Sequence, residues 1–529
     1  MKVLMVNSYD INGGAARATY RLYKALMNFD VDLHMIVQKK FSNDENVIVC
    51  EDGWDDKAFF YDNMPLLSYP HKSSTLFSVS AVPNKKLIKF INSSDVDIVH
   101  LHWITNGFLS IEDIAKIEKP IVWSLHDNWA FTGGCHILWE CDKYKEKCGA
   151  CPRLGSTNQN DLSAQVWRRK QKAFAQKKGM IIVGISRWLN ECSKSSSLLK
   201  DNKHINLPNP IDTNVFKPLD KEKARQLWRL PRDKKLVLFG ANSATSDINK
   251  GFMELSEALY KLTCKDVELV VFGNSEPQVS HDFGFKTYYF GHLYDDMSLV
   301  ALYSACDVMV VPSLQEAFGQ TALEAMACST PTVAFGSTGL LDLVDHLKNG
   351  YLAKPFDTTD LANGIEWVLH AENYDELCHN AREKVVREFD SIIVGKKYIE
   401  LYEEILEVEK QDSILQYRPD HRLKFITKEI EDWFLELATK NLNYVVYGHG
   451  SFGEAILDYL GEKVIAFVDQ KSNLISTEIT KGEVYNPNNL LNMEYEKIII
   501  SVLGRESEIE RYLVDDIGIS KEKIVRLML

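Results

Sequence analysis

The stretch SLQEAFGQTALEAMACSTPTVAF, residues 313–335, follows the apolar run DVMVVPS and itself ends in a second apolar run, PTVAF. This order predicts strand, loop, helix and strand, the repeating unit of a parallel α/β fold. The loop carries Glu316 and the predicted helix carries Glu324, with the Phe318–Gly319 turn between them. A helix N-terminus binds anions through free backbone N–H groups, and carboxylates beside it accept hydrogen bonds from hydroxyls. The passage therefore predicts a site for the diphosphate and hydroxyl groups of a sugar nucleotide.

Glu324 also has a purely structural interpretation. Thr321 and Glu324 have the T-x-x-E spacing of a capping box at the start of a helix. A capping box does not account for Glu316 or for the turn that follows it. We therefore interpret Glu324 as both a cap and a ligand-binding residue, and Glu316 as a carboxylate that accepts hydrogen bonds from the ligand's hydroxyls.

Short apolar runs alternate with helical stretches along the whole chain, which predicts the α/β class. The runs KVLMVNS, DIVHLHW, IVWSLHD and GMIIVGIS are typical of buried strands with polar C-terminal ends. In open parallel sheets, ligands bind beyond these ends. The polar residues found there are Asn7, His100, His102, His126 and Ser186.

The chain is predicted to contain three Rossmann-like domains. The first covers residues 1–207, and the proline-rich segment PNPIDTNVFKP, residues 208–218, is a linker. The second covers residues 219–408 and ends in SIIVGKKYIELYEEILEV, an amphipathic helix that could cross back to the first domain. The third covers residues 420–529.

Composition and charge narrow the functional class. The 529 residues are 45% hydrophobic and 26% charged, as in ordinary soluble globular proteins. The net charge of -13 argues against a dedicated nucleic-acid-binding protein. No apolar run approaches the roughly 18–20 residues of a membrane span, and the N-terminus MKVLMVNSYD lacks the features of a signal peptide. We therefore expect a cytoplasmic protein, whose oligomeric state the sequence leaves open.

Four of the ten cysteines cluster in an insertion at residues 133–155, at Cys135, Cys141, Cys148 and Cys151. Without a secretory signal, disulfides are not expected. The C-x2-C turn at Cys148 and Cys151 supplies two of the four ligands of a tetrahedral zinc site, and His136 is a substitute ligand. Two hypotheses stay open: a structural zinc site, or thiols packed in a loop.

The segment WRRKQKAFAQKK, residues 167–178, carries six cations in a helix-like stretch. Such a run is usually the solvated face of a helix. The alternative is a peripheral contact with anionic lipid at the inner face of the cell membrane.

The third domain contains the glycine pattern G-H-G-S-F-G, with Gly448, Gly450 and Gly453 between the strand YVVY and a predicted helix. Asp469 ends the next strand, where an acidic residue suits a ribose hydroxyl. Because no Tyr-x-x-x-Lys pair follows, hydride chemistry is not supported. We predict a nucleotide-binding or assembly module without catalysis of its own.

The whole ordered set of motifs resembles the retaining glycosyltransferases of family 4, which have the GT-B fold. The resemblance covers roughly residues 1–410 and rests on Gly13-Gly14 after the first strand, H-D after the fourth apolar run, the linker, Lys250-Gly251 and the E-x7-E passage. The cysteine-rich insertion is similar to that of a subgroup from surface-polysaccharide clusters, and the third domain resembles small Rossmann domains appended to sugar-modifying enzymes. The implied fold is two Rossmann-like domains that face across a cleft, plus a third domain.

The resemblance also implies roles for individual residues. Glu324 would hold the donor ribose and Glu316 the donor sugar, while Lys250 would neutralise the diphosphate. His126 would lie near the reacting centre of the sugar, with His100 and His102 on the acceptor side. Further donor contacts are implied for Gly13, Gly14, Phe318, Gly319, Gln320 and Thr321.

One departure from the family pattern concerns the diphosphate. The family often has an arginine about five residues before the lysine, whereas GANSATSDINK has none. The diphosphate is then either bound more weakly or contacted by a residue from elsewhere in the chain.

The predicted activity is retaining, metal-independent transfer of a sugar, most simply from a UDP-sugar, to a glycan or lipid-linked acceptor. No cofactor is expected for catalysis. Two alternatives stay open: a bifunctional enzyme whose third domain modifies a sugar nucleotide with NAD(P), and a GT-B scaffold without activity.

Overall fold

The computed structural model describes the chain except residues 51–54, 178, 242–245, 265, 274–283, 417–427, 449–452, 454–455, 458–459, 471, 475–482, 503–504 and 527–529. The chain forms two compact units, Met1–Tyr402 and Glu403–Leu529. Three sheets are present, and every strand pair within them is parallel. The predicted α/β fold is therefore confirmed.

The first sheet has seven strands in the order β3-β2-β1-β4-β5-β6-β7. Its strands are β1 (Lys2–Tyr9), β2 (Asp32–Lys39), β3 (Val47–Val49), β4 (Ile98–Leu101), β5 (Ile121–Leu125), β6 (Ile181–Gly184) and β7 (Lys203–Asn206). Its helices are α1 (Gly14–Leu26), α2 (Asp55–Asn63), α3 (Lys85–Ser93), α4 (Ile111–Ile114), α5 (Leu162–Gln176) and α6 (Arg187–Lys194). The strand order reverses between β1 and β4, and ligands of such sheets bind at this switch point.

The second sheet has six strands in the order β10-β9-β8-β11-β12-β13. Its strands are β8 (Lys235–Gly240), β9 (Val267–Phe272), β10 (Thr287–Tyr289), β11 (Val308–Val311), β12 (Thr332–Phe335) and β13 (Gly350–Ala353). Its helices are α7 (Lys221–Leu227), α8 (Phe252–Lys261), α9 (Asp296–Ala305), α10 (Gln320–Ala327), α11 (Thr358–Leu369) and α12 (Tyr374–Glu388). The opening stretch of the sequence is thus the end of β11, a loop, α10 and β12, as predicted.

The linker and the helix after α12 tie the first two domains together. Ile211 of the linker is fully buried and pairs with Asp390 in a short parallel bridge. Helix α13 (Ser391–Gln416) then returns to the first domain, where the hydroxyl of Tyr402 lies 2.6 Å from Nδ1 of His100. The prediction that this helix crosses back to the first domain is confirmed. The two sheets accordingly belong to one compact unit.

The second unit contains a five-stranded sheet in the order β16-β15-β14-β17-β18. Its strands are β14 (Tyr444–Tyr447), β15 (Val464–Val468), β16 (Val484–Tyr485), β17 (Lys497–Ile500) and β18 (Ile524–Arg526). The helices α14 (Lys428–Thr439) and α15 (Glu506–Asp515) complete its described regular structure, together with a helical stretch whose residues are described only in part. The strand order again reverses beside the first strand, so this unit also has a switch point.

Gly251, which follows Lys250, is required by a close approach of two backbone segments. Its φ is 72°, and a Cβ atom there would lie 1.9 Å from the carbonyl oxygen of Pro312 at the end of β11. Only glycine satisfies both conditions. This contact sets the start of α8 against the loop that leads to Glu316.

We expect Gly251→Ala to lower the melting temperature by roughly 5–10 °C, because left-handed strain and a backbone clash act together. Gly291→Ala is the matched control, since Gly291 has a φ of 62° but a Cβ atom there would meet nothing within 4 Å. It should lower the melting temperature by only about 2–4 °C. Equal shifts in calorimetry of the two variants would show that the Pro312 contact does not matter.

Candidate functional site

A cavity of about 780 Å³ lies between the first two domains. We call it the cleft cavity. The first domain contributes Ile11, Asn12, Gly13, Gly14, Arg17 and Phe41. The second contributes Ala241, Phe272, Gly273, His292, Leu293, Tyr294, Leu299, Gln320, Thr321 and Glu324. Five of the predicted donor residues, Gly13, Gly14, Gln320, Thr321 and Glu324, therefore lie at one cavity although they come from two domains.

The glycine loop after β1 forms one wall. Gly13 is the N-cap of α1 and has a φ of 101°, a conformation that favours glycine. A Cβ atom at Gly13 or Gly14 would meet nothing within 4 Å, so both positions are open. Arg17, one turn into α1, donates from Nη2 to the carbonyl oxygen of Tyr294 at 2.7 Å. The sequence pattern did not single out Arg17, yet it adds a cation to this wall.

The N-terminus of α10 forms the opposite wall. Helix α10 begins at Gln320, and its N-cap is Gly319, which has a φ of 104° and provides no side-chain cap. The first amides of a helix have no partner within the helix, so these N–H groups are suited to an anion. The predicted capping box is wrong: Thr321 lies inside the helix, and Glu324 bonds to other groups.

Glu324 is held by two side chains. Its Oε1 accepts from Nη1 of Arg21 at 2.7 Å, and its Oε2 accepts from the hydroxyl of Tyr303 at 2.7 Å. The carboxylate is only 6% exposed. Because Tyr303 is buried and lies beside this carboxylate, its pKa is far above the usual value and its hydroxyl stays protonated.

Arg21 is the partner that sequence reasoning missed. It lies on α1 of the first domain, and its guanidinium also contacts Asp296 at 3.4 Å and lies 4.7 Å from the ring centre of Phe216. Burial works to lower the pKa of Arg21, but Glu324 and Asp296 outweigh it, and the pKa is raised. An arginine on an amphipathic helix gives no sequence signal of a partner about 300 positions away. The pair nevertheless joins the two domains.

Glu316 and Lys250 lie next to each other, with Nζ of Lys250 donating to Oε1 of Glu316 at 2.8 Å. Ser313 donates to the same oxygen at 2.9 Å. Burial works to lower the pKa of Lys250, but the Glu316 carboxylate outweighs it and the pKa is raised. Both residues are absent from the described lining of the cleft cavity, so the structure pairs them beside it rather than in it.

Phe318 is buried, and its ring packs edge-on against Phe389 at 5.7 Å between centroids. Its side chain therefore belongs to the core, and only its backbone remains for a ligand. A Cβ atom at Gly319 would lie 2.7 Å from Leu340, so this glycine also permits close packing.

His126 follows β5 and is partly buried. Its Nε2 lies 3.0 Å from Nδ1 of His102 and 3.4 Å from the hydroxyl of Thr19 on α1. Burial lowers the pKa of His126 to about 4, although Asp127 acts in the opposite direction. His126 is therefore neutral near pH 7. It is absent from the described lining of the cleft cavity, and the structure places it behind the first turns of α1.

Asp127 does not orient His126. Its carboxylate accepts from the indole of Trp103 at 2.7 Å and from the backbone N–H of Trp129 at 2.8 Å, and contacts Nδ1 of His136 at 2.6 Å. Burial works to raise the pKa of Asp127, but His136 and these donors outweigh it and the pKa is lowered. The aspartate is thus used to hold the loop after β5.

The acceptor-side prediction is wrong for His100. This side chain is fully buried, with Nδ1 2.6 Å from the hydroxyl of Tyr402 and Nε2 2.8 Å from that of Ser124. Burial lowers its pKa to about 3. His102 is 3% exposed and bonds to His126, so it supports that residue instead of forming a surface. His100 thus lies under α13, and His102 packs between His100 and His126.

The four clustered cysteines are free thiols. Among the described residues, no three His, Cys, Asp or Glu side chains come together in a way that could hold a metal ion. His136 is already bonded to Asp127 and Ser78, and Cys148 accepts from the backbone N–H of Gly133 at 3.1 Å. Both ring nitrogens of His136 are thus occupied, so it is not available as the substitute ligand, and the zinc hypothesis for the four cysteines stays a prediction for elemental analysis.

Part of the basic segment 167–178 is bonded inside the first domain, whereas Arg168 and Lys172 are exposed. Lys170 is fully buried, bonds to the carbonyl oxygens of Trp129 and Thr132, and lies 3.7 Å from the centre of the Trp129 ring. Arg169 bonds to Glu112 and to two carbonyl oxygens. These two cations therefore stabilise the first domain, and Lys178 lies outside the described residues. In the described part of the chain, no helix has the length and apolar character needed to cross a membrane.

In the second unit, Gly448 follows β14 with a φ of 100°. A Cβ atom at Gly453 would lie 2.2 Å from the carbonyl oxygen of Gly448, so the glycine permits a close approach of Gly453 to that carbonyl. Gly450 lies outside the described residues. Asp469 directly follows β15, and its backbone N–H donates to Tyr485 at 3.0 Å. The nucleotide-binding role of these residues stays a prediction.

Comparison with known proteins agrees with this geometry. The family described as glycosyl transferases group 1 matches residues 220–388, and the one described as C2185-like, N-terminal matches residues 440–525. An uncharacterized glycosyltransferase of Methanocaldococcus jannaschii is 24% identical over 356 residues, 65% of this chain and 84% of that protein. The capsular polysaccharide biosynthesis glycosyltransferase CapM of Staphylococcus aureus is 28% identical over 240 residues, 42% of this chain and 62% of CapM.

Solved structures establish the fold. HepE of Anabaena, solved in complex with UDP and glucose, is similar over 76% of this chain and 100% of HepE, with a TM-score of 0.53 and 16% identity. At this identity the similarity concerns the fold alone. The chain has the GT-B fold, as the resemblance implied.

The buried histidines predict how stability depends on pH. Because burial lowers the pKa of His100 to about 3 and of His126 to about 4, only the unfolded chain takes up these protons between about pH 6.5 and pH 4. The melting temperature should therefore fall as the pH is lowered through this range. His100→Asn should flatten the decline measured by circular dichroism, whereas His34→Asn, at an exposed position, should not. Parallel declines in all three proteins would contradict the assignment.

Proposed function

We propose that this chain, whose residues 220–388 match the family described as glycosyl transferases group 1, is a retaining glycosyltransferase. It transfers a sugar from a nucleoside diphospho-sugar, most simply a UDP-sugar, to a glycan or lipid-linked acceptor of surface-polysaccharide biosynthesis. The observation that carries the proposal is the cleft cavity, which combines the open glycine loop of one domain with the N-terminus of α10 in the other.

The cavity suits the size and chemistry of such a donor. Its volume of about 780 Å³ lies within the range of sites that enclose a small molecule. The diphosphate would bind at the α10 N-terminus, where backbone N–H groups and the helix dipole favour an anion. Arg17 lines the same cavity and supplies a cation from the first domain. This cation stands in for the arginine that the stretch before Lys250 lacks.

Glu324 would bind the ribose. Its carboxylate lines the cavity, and each of its oxygens already has one donor, from Arg21 and from Tyr303. A carboxylate oxygen accepts more than one hydrogen bond, so ribose hydroxyls can join these donors. Arg21 would then keep the carboxylate ionised and oriented for the incoming donor.

Glu316 and Lys250 would act on the sugar and the departing diphosphate. Retaining transfer develops positive charge at the sugar and negative charge on the leaving diphosphate, so a fixed cation beside the phosphates stabilises the transition state. The pair is joined in this structure at 2.8 Å. We propose that the donor engages both members of the pair and that the transfer needs no metal ion.

His126 would position the donor sugar. Its lowered pKa keeps the imidazole neutral near pH 7, which suits a hydrogen bond to a sugar hydroxyl. Its contacts with His102 and Thr19 hold the ring in place. In this proposal, His126 neither attacks the sugar nor transfers a proton to it.

Two relatives support the choice of donor and pathway. HepE, which shares the fold, was solved with UDP and glucose, and CapM is named for capsular polysaccharide biosynthesis. These properties belong to those proteins. For this chain, a panel of nucleotide sugars with released nucleotide as the readout identifies the donor.

A second proposal concerns the second unit. Gly448 and Gly453 meet the conformational and packing demands of a glycine loop that approaches a phosphate, and Asp469 follows the neighbouring strand. We propose that this unit binds a nucleotide without catalysing hydride transfer. Calorimetric titration with NAD should show binding that Asp469→Ala weakens at least tenfold, the scale of one lost ribose hydrogen bond. An absence of binding to NAD, ADP and UDP would leave an assembly module.

Substitution of Glu324 and of Glu316 should change different kinetic constants. Glu324→Gln should raise the donor KM tenfold or more, because it weakens the hold on the ribose, whereas Glu316→Gln should lower kcat about a hundredfold at similar KM. Glu257→Gln, at an exposed carboxylate of the same domain, is the control and should keep wild-type kinetics. Wild-type kinetics in the two active-site variants would refute the proposed roles.

His126→Ala should lower kcat about a hundredfold while UDP affinity stays near that of the wild type. The reason is that the nucleotide is held by α10 and Glu324 of the other domain, whereas only the sugar meets His126. His126→Asn, which retains a hydrogen-bonding side chain, should recover part of the rate. Loss of UDP binding in calorimetry, or full turnover, would remove His126 from the catalytic site.

A further inference from the structure

The cysteine-rich insertion reaches across to the second domain. The backbone N–H groups of Leu138 and Trp139 both donate to Oε1 of Gln315, at 2.9 and 3.0 Å. Gln315 is 6% exposed and directly precedes Glu316. The insertion therefore contacts the residue directly before Glu316, the first glutamate of the E-x7-E passage.

The other end of the Gln315 amide is also bonded to the first domain. Its Nε2 donates to Oδ1 of Asn128, at 2.6 Å, on the loop after β5. Asn128 is fully buried. Both the acceptor and the donor of one buried side chain are thus satisfied by the opposite domain, and this fixes the orientation of Gln315.

A second contact reaches the residue before Lys250. The indole Nε1 of Trp139 donates to Oδ1 of Asn249 at 2.9 Å, and Asn249 Nδ2 donates to the carbonyl oxygen of Gln315 at 2.8 Å. The backbone N–H of Leu314 closes the network by donating to the carbonyl oxygen of Asn249 at 2.9 Å. One tryptophan thus holds the two segments that carry Glu316 and Lys250.

Trp139 is itself held in an unusual conformation. Its φ is 48°, a region that non-glycine residues adopt at a cost of roughly 1–3 kcal/mol when the surroundings enforce it. The guanidinium of Arg153 lies 4.1 Å from the centre of its ring, and Arg153 is 6% exposed. The packed insertion therefore presents the Trp139 N–H groups in a fixed direction.

We propose that the cysteine-rich insertion is a positioning element for donor-sugar chemistry, acting through Trp139 and Gln315 to set the Glu316–Lys250 pair. Neither Trp139 nor Gln315 needs to touch the donor. The inference gives the insertion a role in turnover. Its kinetic test rests on the proposed function, whereas its hydrogen-exchange test does not. A displacement of about 1 Å in a reacting group can lower a rate about a hundredfold. The rate therefore depends on how firmly the loop that carries Glu316 is held in place.

Three variants separate positioning from bulk stability. Trp139→Phe removes one hydrogen bond, that to Asn249, and keeps an aromatic ring over Arg153. Gln315→Leu removes the three hydrogen bonds of the Gln315 side chain, to Leu138, Trp139 and Asn128. Gln315→Glu keeps the acceptor for Leu138 and Trp139, and Asn128 can turn its amide toward it, because Nδ2 of Asn128 is buried without a partner in the described structure. Glu146→Gln, at an exposed residue of the same insertion, is the matched control.

Hydrogen exchange followed by mass spectrometry tests the network without any donor. Trp139→Phe and Gln315→Leu should speed exchange about tenfold in peptides that cover residues 246–251 and 313–320. Gln315→Leu should also speed exchange of the Leu138 and Trp139 amides, which lose their acceptor, and regions outside the network should be unchanged. Gln315→Glu and Glu146→Gln should exchange like the wild type. Unchanged exchange in both Trp139→Phe and Gln315→Leu would overturn the proposal.

The kinetic arm uses UDP release from the donor that the nucleotide-sugar panel identifies. Trp139→Phe should lower kcat about tenfold at an unchanged melting temperature and similar donor KM, and Gln315→Glu should retain most of the rate that Gln315→Leu loses. Wild-type kcat in Trp139→Phe alongside faster exchange would show that the network orders the loop without serving turnover, and would overturn the positioning role. If the wild type releases no nucleotide from any sugar, the proposed function fails, whereas the exchange result still decides whether the insertion orders the loop.

Discussion

The ion pair between Arg21 and Glu324 is the interaction on which the cleft depends. It joins the first helix of one domain to α10 of the other, at 2.7 Å and with little exposure of either side chain. A buried carboxylate that loses its partner is destabilised by several kcal/mol, so the pair favours the arrangement of domains in which both members meet. Since Glu324 also lines the cleft cavity, the group that would hold a donor is the group that holds the domains. Donor binding and domain arrangement are therefore physically linked.

The insertion supplies a second link at the other end of the same passage. Glu324 is bonded to α1, and Gln315, beside Glu316, is bonded to the insertion and to the loop after β5. Both ends of the E-x7-E passage are thus fixed by the first domain. This arrangement explains why an irregular loop, between a strand and a short helix, can hold two carboxylates in a defined geometry. It also gives the insertion a structural reason to exist that does not depend on a bound metal.

Several polar residues that looked functional in the sequence prove to be structural. His100 is buried and contacts Tyr402 of α13. Asp127 accepts a hydrogen bond from the backbone of Trp129 in the loop after β5, and Lys170 is buried against the Trp129 ring. Each has the residue type and strand-end or helical position that a functional group would have. What distinguishes them is the partner that each side chain meets, and these partners come from elements as far apart as β4 and α13. Local pattern carries no information on such contacts, because they form only when distant segments pack.

The sequence by itself determined the α/β class, the strands read from apolar runs, the place of α10 and the glycine loops, because periodicity and turn chemistry are local properties of the chain. The order of motifs along the sequence, and the family resemblance that it carries, also predicted that Gly13, Gly14 and Glu324 belong to one site. The partners of these residues were decided by tertiary structure alone. Arg21, Arg17, Tyr303 and Asn249 have no distinguishing local pattern, and the wrong capping box shows that spacing cannot tell a helix cap from an interdomain ion pair. The physical reason is that a hydrogen bond or an ion pair depends on the distance between atoms in space, and the separation of residues along the chain does not specify that distance.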